Sequence, residues 1–401
     1  MSATADVLKP DFSARQRHFL FTDEHEQLRE SLRSFVVKEL APHAEEWEDS
    51  TFPDWVFSRM GELGFLGLDK PEEYGGQGGD YATSLVLAEE LVHAKCGGLG
   101  MGVAVHTDMA MPPILKFGTE EQKQEWVVPA IKGEKILCLG ITEPDAGSDV
   151  AGIKTRAVRD GDEYVINGSK TYITNGHRAD VIVLVTKTDP DAGHGGITLM
   201  LIDLRFEDGN LVPGFSVSRE LEKMGMHASD TGELAFEDVR VPANSVLGEE
   251  GKGFYHISWE LQGERLVGAA GCYSGAERMF ERTLEYAKER EAFGRPIGRF
   301  QTIRHKFADM ATKIEAAKQL THTVAWRFAQ GEYPVREISM AKLYAARVCH
   351  EVADECIQIM GGYGYMKEYE IERAFRDQRL NRIGAGTDEI MLEVIGRSYG
   401  L

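Results

Sequence analysis

A change of hydrophobic period limits what this chain can fold into more than any other feature: helical spacing gives way to short extended runs near residue 136 and returns at Gly253. Ahead of the change, Leu28, Leu32, Phe35, Val36 and Leu40 form the apolar stripe of an amphipathic helix over 23–40, with acidic residues in its first turn and Pro42 just beyond. Further helices are expected over about 54–63, 80–95 and 120–131, with a glycine-broken loop over 71–79. Five runs then follow that are rich in β-branched and aromatic residues: Ile136 to Leu139, Glu163 to Ile166, Thr171 to Thr174, Val181 to Val185 and Ile197 to Leu201. Two more, Phe215 to Ser218 and Glu233 to Phe236, precede Val241-Pro242, and Asn167-Gly168 predicts a tight hairpin turn. Beyond Gly253 the residues Phe254, Ile257, Leu261, Gly268 and Cys272, and later Ala341, Ala345, Val348, Val352, Cys356 and Ile359, mark the apolar faces of long helices.

Helices, then strands, then helices is the block order of a segregated α+β chain, here an amino-terminal helical domain over 1–135, a central β domain over 136–248 and a helical bundle over 249–401. No G-x-G-x-x-G opens a helix and no Walker loop is present, so any nucleotide must be held by another framework.

A net charge of −20 argues against a nucleic-acid binder, which needs a basic surface to neutralise phosphates. It leaves room for a polyanionic small molecule held by a few local donors. No apolar run approaches the roughly 20 residues of a membrane span. The opening MSATADVLKPDFSARQRHF lacks the apolar core of a secretory signal and makes a poor transit peptide. Five widely spaced cysteines, none in a C-x-x-C pair, suggest neither disulfides nor zinc and fit a reducing compartment, so a cytoplasmic protein is expected, or a matrix protein if a mitochondrial leader is removed.

Several segments could carry chemistry. The run Leu139 to Asp149 is a strand entering a turn dense in hydroxyls and small residues, which offers N–H groups to a carbonyl or phosphate or is an ordinary loop. Tyr172 and Thr174 end a strand on one face, which suits a flat heterocycle or is a plain sheet edge. Glu264 falls on the margin of a helix's apolar face, where a carboxylate is either a boundary residue paired with Arg265 or Arg278, or a half-buried base with a raised pKa. Thr387 is a natural N-cap after Gly384-Ala385-Gly386, and the helix ending at Gln358 to Gly362 breaks in glycines that allow close approach. No H-E-x-x-H and no G-x-S-x-G is present, which disfavours metal and serine hydrolysis.

In order and spacing these segments resemble the acyl-CoA dehydrogenase family over about residues 18–400. The likeness rests on Ile141-Thr142-Glu143-Pro144 with Ala146-Gly147-Ser148-Asp149, and on Asn167-Gly168-Ser169-Lys170 with Tyr172-Ile173-Thr174-Asn175-Gly176. Arg290-Glu291-Ala292-Phe293-Gly294 with Gln301, Gln358 to Gly362, and Gly386-Thr387 complete it. The resemblance implies an FAD enzyme with a carboxy-terminal four-helix bundle, assembled as a homotetramer that is a dimer of dimers. Leu139, Ile141, Thr142, Gly147, Ser148, Tyr172, Ile173 and Thr174 would hold the flavin, with Thr387, Asp388 and Glu389 near the pyrophosphate. Arg290, Phe293, Gln301, Gln358, Ile359, Met360, Gly361 and Gly362 would serve FAD, reaching that of a neighbouring subunit. Ser148, Tyr255, Gln262, Arg265, Ala385 and Gly386 would line the channel for the acyl-CoA substrate.

One departure from the family pattern matters. Many members carry a glutamate base in a Tyr-Glu-Gly-Thr turn, but here the turn reads Gly384-Ala385-Gly386-Thr387, and Ala385 cannot take a proton. Isovaleryl-type and long-chain-type members place the base in a Glu-Arg pair on the long helix, present here as Glu264-Arg265. By that likeness Glu264 removes the α proton while hydride leaves Cβ for flavin N5, giving a trans-2-enoyl-CoA. The ribityl 2′-hydroxyl and the Ala385 N–H would stabilise the enolate oxygen, and electrons would pass to an electron-transfer flavoprotein. Loss of the turn glutamate is expected to favour long or branched acyl chains. An oxygen-using acyl-CoA oxidase and a non-catalytic acyl-CoA-binding relative are the competing expectations.

Overall fold

The computed structural model describes residues 18–401; the stretch before His18, most of the segment read above for targeting signals, lies outside them. The amino-terminal part is helical: α1 (Asp23–Phe35), α2 (Ala44–Glu48), α3 (Trp55–Glu62), α4 (Tyr81–Leu91), α5 (Gly97–Ala104), α6 (Met111–Phe117), α7 (Glu120–Gln122) and α8 (Val128–Ile131). A π-helical stretch, Val105–Ala110, joins α5 to α6. Thr22 caps α1 and Asp80 caps α4, each accepting from a free first-turn N–H.

The strands of the central sheet are β1 (Leu137–Gly140), β2 (Arg156–Asp160), β3 (Glu163–Thr174), β4 (Val181–Lys187), β5 (Ile197–Asp203), β6 (Phe215–Glu220), β7 (Thr231–Pro242) and β8 (Val246–Leu247). They run in the order β6-β7-β3-β2-β4-β5-β8, with β1 on β4, and β2 touches β4 only at Arg156 and Lys187. The sheet folds over at that single pairing, because residues of both halves share one core of Tyr164, Ile166, Leu184, Met200, Leu234 and Phe236. Strands β4 and β5 are buried on both faces, as continuous apolar runs should be. Their alternation sends Ile182, Leu184, Met200 and Ile202 into that core, and Val181, Val183, Leu199 and Leu201 into a second core with the helices around Ile114 and Trp126.

The hairpin expected at Asn167-Gly168 is not there. β3 runs straight through, and the reversal comes at Gly161-Asp162, where Asp160 pairs with Glu163. Asn167 instead sits at a β-bulge against β7 and exchanges side-chain bonds with Asp238. Gly168 is needed for close approach, since a Cβ there would lie 2.4 Å from the Thr155 hydroxyl.

Three long helices, α9 (Gly253–Glu289), α10 (Gln301–Ala329) and α11 (Val335–Met360), pack together, with the shorter α12 (Ile371–Gln378) and α13 (Asp388–Arg397) on α11. Helix α9 is gripped by α4, α10, α11 and the π-helical stretch, so its buried residues do not form one stripe. Gly268, expected on an apolar face, is exposed. No helix among the described residues is long and apolar enough to cross a membrane.

Candidate active site

Glu264 lies about a third of the way along α9 and only 9% of it is exposed. Burial pushes its carboxyl up to about 7, against the pull of the Arg265 and Lys342 charges. Neither arginine offered by the boundary reading neutralises it by direct pairing. Arg278 pairs with Glu370, and the Arg265 Nε donates to the Ala385 carbonyl at 3.0 Å. One turn earlier, Glu260 is 2% exposed, and neither of its oxygens has a hydrogen-bond donor among the described residues.

The turn expected to face the substrate is held from behind. Besides the Arg265 contact, the buried Lys342 of α11 donates to the Gly386 carbonyl at 2.6 Å. Ala385 (φ +56°) and Gly386 (φ +96°) are both left-handed. Thr387 caps α13 by accepting from the Ile390 N–H. Asp388 turns inward onto Arg347 and Arg382, while Glu389 is exposed. Tyr255, Ser148, Ala385 and Gly386 keep exposed surface, but Gln262 does not. It is 4% exposed and bonds back to the Ser258 carbonyl.

The two motifs at 141–149 and 167–176 meet through a buried ion pair. Lys170, fully buried, reaches Glu143 at 2.8 Å and the Ile141 carbonyl at 2.9 Å. Burial pulls Lys170 down to about 8, which leaves it charged at neutral pH. Glu143 also accepts from the Lys154 and Thr155 N–H groups. The Thr171 N–H bonds the Thr142 carbonyl at 2.9 Å, so Leu139, Ile141 and Thr142 lie next to Tyr172 and Thr174. Tyr172, at φ +61° beside a second bulge, turns out and is 70% exposed, while Ile173 turns into the core. Gly147 and Ser148 are open, and a Cβ on Gly147 would meet nothing within 4 Å. A partly exposed apolar shelf, an outward aromatic and an open, hydroxyl-bearing turn suit a flat ring with a polar tail, as FAD has. Strained backbone at Tyr172 and Ala385 is the kind that persists at ligand sites.

A third patch lies elsewhere. Arg290 follows the end of α9, 26 residues past Glu264, or about 39 Å along the helix axis. One groove joins it to Ile359, Met360, Gly361 and Gly362, and its guanidinium stacks over Tyr363. Phe293 projects at φ +52° with 96% of its surface exposed, and Gln301 and Gln358 are exposed as well. The structure therefore does not bring Arg290 and its neighbours to the Glu264 site within one chain. A larger depression, at the seam of the helical and β domains beside Arg178 and Arg205, contains none of the expected site residues.

Glu143, Lys170, Glu260 and Lys342 carry roles that were not read from the sequence. The first two lay inside quoted motifs with no role attached. Glu260 and Lys342 look like ordinary helix positions.

Comparisons with known proteins identify the family. Family models match residues 22–134 (acyl-CoA dehydrogenase, N-terminal domain), 138–239 (middle domain) and 251–400 (C-terminal domain). The mitochondrial long-chain specific acyl-CoA dehydrogenase of Mus musculus is 41% identical over 382 residues, 94% of this chain and 87% of the relative. The crystal structure of an acyl-CoA dehydrogenase from Geobacillus kaustophilus superposes with a TM-score of 0.91 at 45% identity, covering 95% of this chain and 99% of that one. A glutaryl-CoA dehydrogenase from Mycobacterium smegmatis, solved in complex with FADH2, matches with a TM-score of 0.87 at 32% identity and 95% coverage of both chains. The chain belongs to the acyl-CoA dehydrogenase family.

Proposed function

We propose that this enzyme oxidises the Cα–Cβ bond of acyl-CoA thioesters with Glu264 as the base, that long or branched acyl chains are favoured, and that electrons pass to an electron-transfer flavoprotein. The observation that carries the reading is Glu264 itself. It is a buried carboxyl poised at about 7, beside a turn in which Ala385 offers no competing carboxyl. A base tuned near the working pH accepts a proton readily and is still deprotonated often enough to act.

Each residue then has a task. Glu264 takes the proton from the carbon next to the thioester. The Ala385 N–H faces the thioester oxygen as negative charge develops there, and low polarity around the site strengthens that interaction. Bound FAD supplies the acceptor for the hydride leaving Cβ. Leu139, Ile141, Thr142, Gly147, Ser148, Tyr172 and Thr174 would hold its ring and chain, with Thr387 at the N-terminus of α13 toward the pyrophosphate. Arg290, Phe293, Gln301 and the 358–362 turn would serve the FAD of another subunit in a homotetramer, a reading supported by the roughly 39 Å between Arg290 and Glu264 along α9. The absence of a side-chain carboxyl at Ala385 widens the acyl side, which supports the longer or branched substrates. The mouse relative is named for long chains.

The test is flavin bleaching by a graded panel of straight and branched acyl-CoA thioesters, run on the wild type and Glu264→Gln. Bleaching by the wild type that falls at least a thousandfold in the variant is expected. A variant with near-normal bleaching would remove Glu264 from its role.

A further inference from the structure

Two buried cations grip two successive carbonyls of the substrate-facing turn. Arg265, from α9, holds the carbonyl of Ala385, and Lys342, from the middle of α11, holds that of Gly386. Both are nearly inaccessible, at 6% and 4% exposure. Burying an ammonium costs several kcal/mol unless it is well partnered, and the one hydrogen-bond acceptor that Lys342 has among the described residues is this neutral carbonyl. A lysine that served packing alone would be replaced by methionine with no such penalty. The charges around it are Glu264, Arg265 and Asp388, with Cys272 also close, so Lys342 stands among the groups of the reaction rather than in a separate surface pair.

The consequence is geometric. In a peptide the C=O of one residue and the N–H of the next point opposite ways, so drawing the Ala385 and Gly386 carbonyls inward turns the N–H groups of Gly386 and Thr387 outward and anchors the turn that also carries the Ala385 N–H. The N–H groups of Ala385, Gly386 and Thr387 make no hydrogen bond among the described residues. Ala385 accepts a left-handed backbone that costs a non-glycine residue about 1 kcal/mol. Successive free N–H groups in such a conformation form a concave site for a partial negative charge.

We propose that Lys342 is a positioning residue of the dehydrogenation: with Arg265 it anchors the turn by two successive carbonyls and so holds the Ala385 N–H in place for the thioester oxygen. This rests on the reading of the site given above. Lys342 touches neither substrate nor flavin in this scheme and acts through the turn.

The experiment uses FAD-loaded enzyme and an acyl-CoA analogue with sulfur in place of the β carbon, which can lose its α proton but no hydride. Its ionisation on the enzyme reads the strength of the N–H site without turnover. Lys342→Met is expected to keep substrate KM within about threefold, to lose about a hundredfold in kcat, as loss of one well-aimed donor does, and to ionise the analogue at a pH at least one unit higher. Lys342→Arg should recover most of kcat. If Lys342→Met matches wild type in kcat and in analogue ionisation, the assignment is overturned. Should Lys342→Met fail to fold, Lys342→Gln, shorter and uncharged, takes its place, and unaltered kcat and analogue ionisation there also overturn the assignment. A wild type that neither bleaches with acyl-CoA nor ionises the analogue would instead bring down the dehydrogenase reading itself.

Discussion

Glu260 and Glu264 stand one helical turn apart on the same buried side of α9, and their carboxyl groups interact directly in the interior. Burial pushes Glu260 well above the usual carboxylate range and the Glu264 charge pushes it further. Of the two, Glu260 is the carboxyl that burial and its neighbour hold up most strongly, and its presence lowers Glu264. Glu260→Leu removes that lowering influence. The acid limb of kcat/KM, set by a base that must be deprotonated, should move up by about one pH unit, the equivalent of one hydrogen bond to a charged group. A pH profile of kcat/KM measures it, and an unmoved limb would show that the pair is not coupled.

Glu264 should also cost stability. Its folded-state pKa is raised, so the native protein retains a proton that the unfolded chain releases between about 4.5 and 7. Stability then falls as pH rises through that window, by about 3 kcal/mol for a shift of this size. Glu264→Gln carries no such proton. Its advantage in urea unfolding should be small at pH 5 and close to the full amount at pH 8, while activity is lost.

A second buried carboxylate works in the opposite sense. Glu89 of α4 contacts Arg29 of α1, the Tyr273 hydroxyl of α9 and, at 3.0 Å, the His322 Nε2 of α10. Burial pushes its carboxyl up, but the His322, Arg29 and Tyr273 contacts outweigh this and leave it at about 2. With a depressed folded pKa, this stabilisation is present above about 4.5 and is lost as pH falls toward 2. Glu89→Gln removes the buried negative charge that Arg29, Tyr273 and His322 converge on and should cost about 3 kcal/mol at pH 7. Thermal melts at pH 7 and pH 3 should show the penalty shrinking in acid.

If the Arg290 patch serves a neighbour, flavin retention depends on assembly. Phe293→Ala and Arg290→Ala should each weaken FAD binding about tenfold without moving the acid limb set by Glu264. Flavin fluorescence on serial dilution checks this, since the wild type should release FAD more readily as the protein is diluted. Concentration-independent retention would contradict the shared site.

The block order and most strands were legible because burial imposes a period that sequence displays directly. Strand β2 was not, since Arg156, Arg159 and Asp160 face water and only Ala157 is buried, which leaves almost no apolar signal. Asn167-Gly168 misled because a glycine required for close approach to Thr155 has the same letters as one required for a turn. Helix α5 was hidden by Gly97, Gly98, Gly100 and Gly102, poor helix formers taken alone. In the fold, a Cβ on Gly98 would lie 2.5 Å from the Ser229 nitrogen and one on Gly102 would lie 2.7 Å from the Phe52 ring. Glu264 could be found from its Arg265 neighbour and from Ala385. Glu260 and Lys342 could not, because their burial arises only when α4, the π-helical stretch and α11 close on α9.

Strands β4 and β5 are a party wall: one side lines the interior of the β domain, the other the interior of the helices before it. Neither compartment is finished without the other. Excised alone, the middle segment would present Val181, Val183, Leu199 and Leu201 to water as a sticky sheet, so the covalent junction near residue 136 is no place to cut the molecule, and melting there should be a single cooperative event.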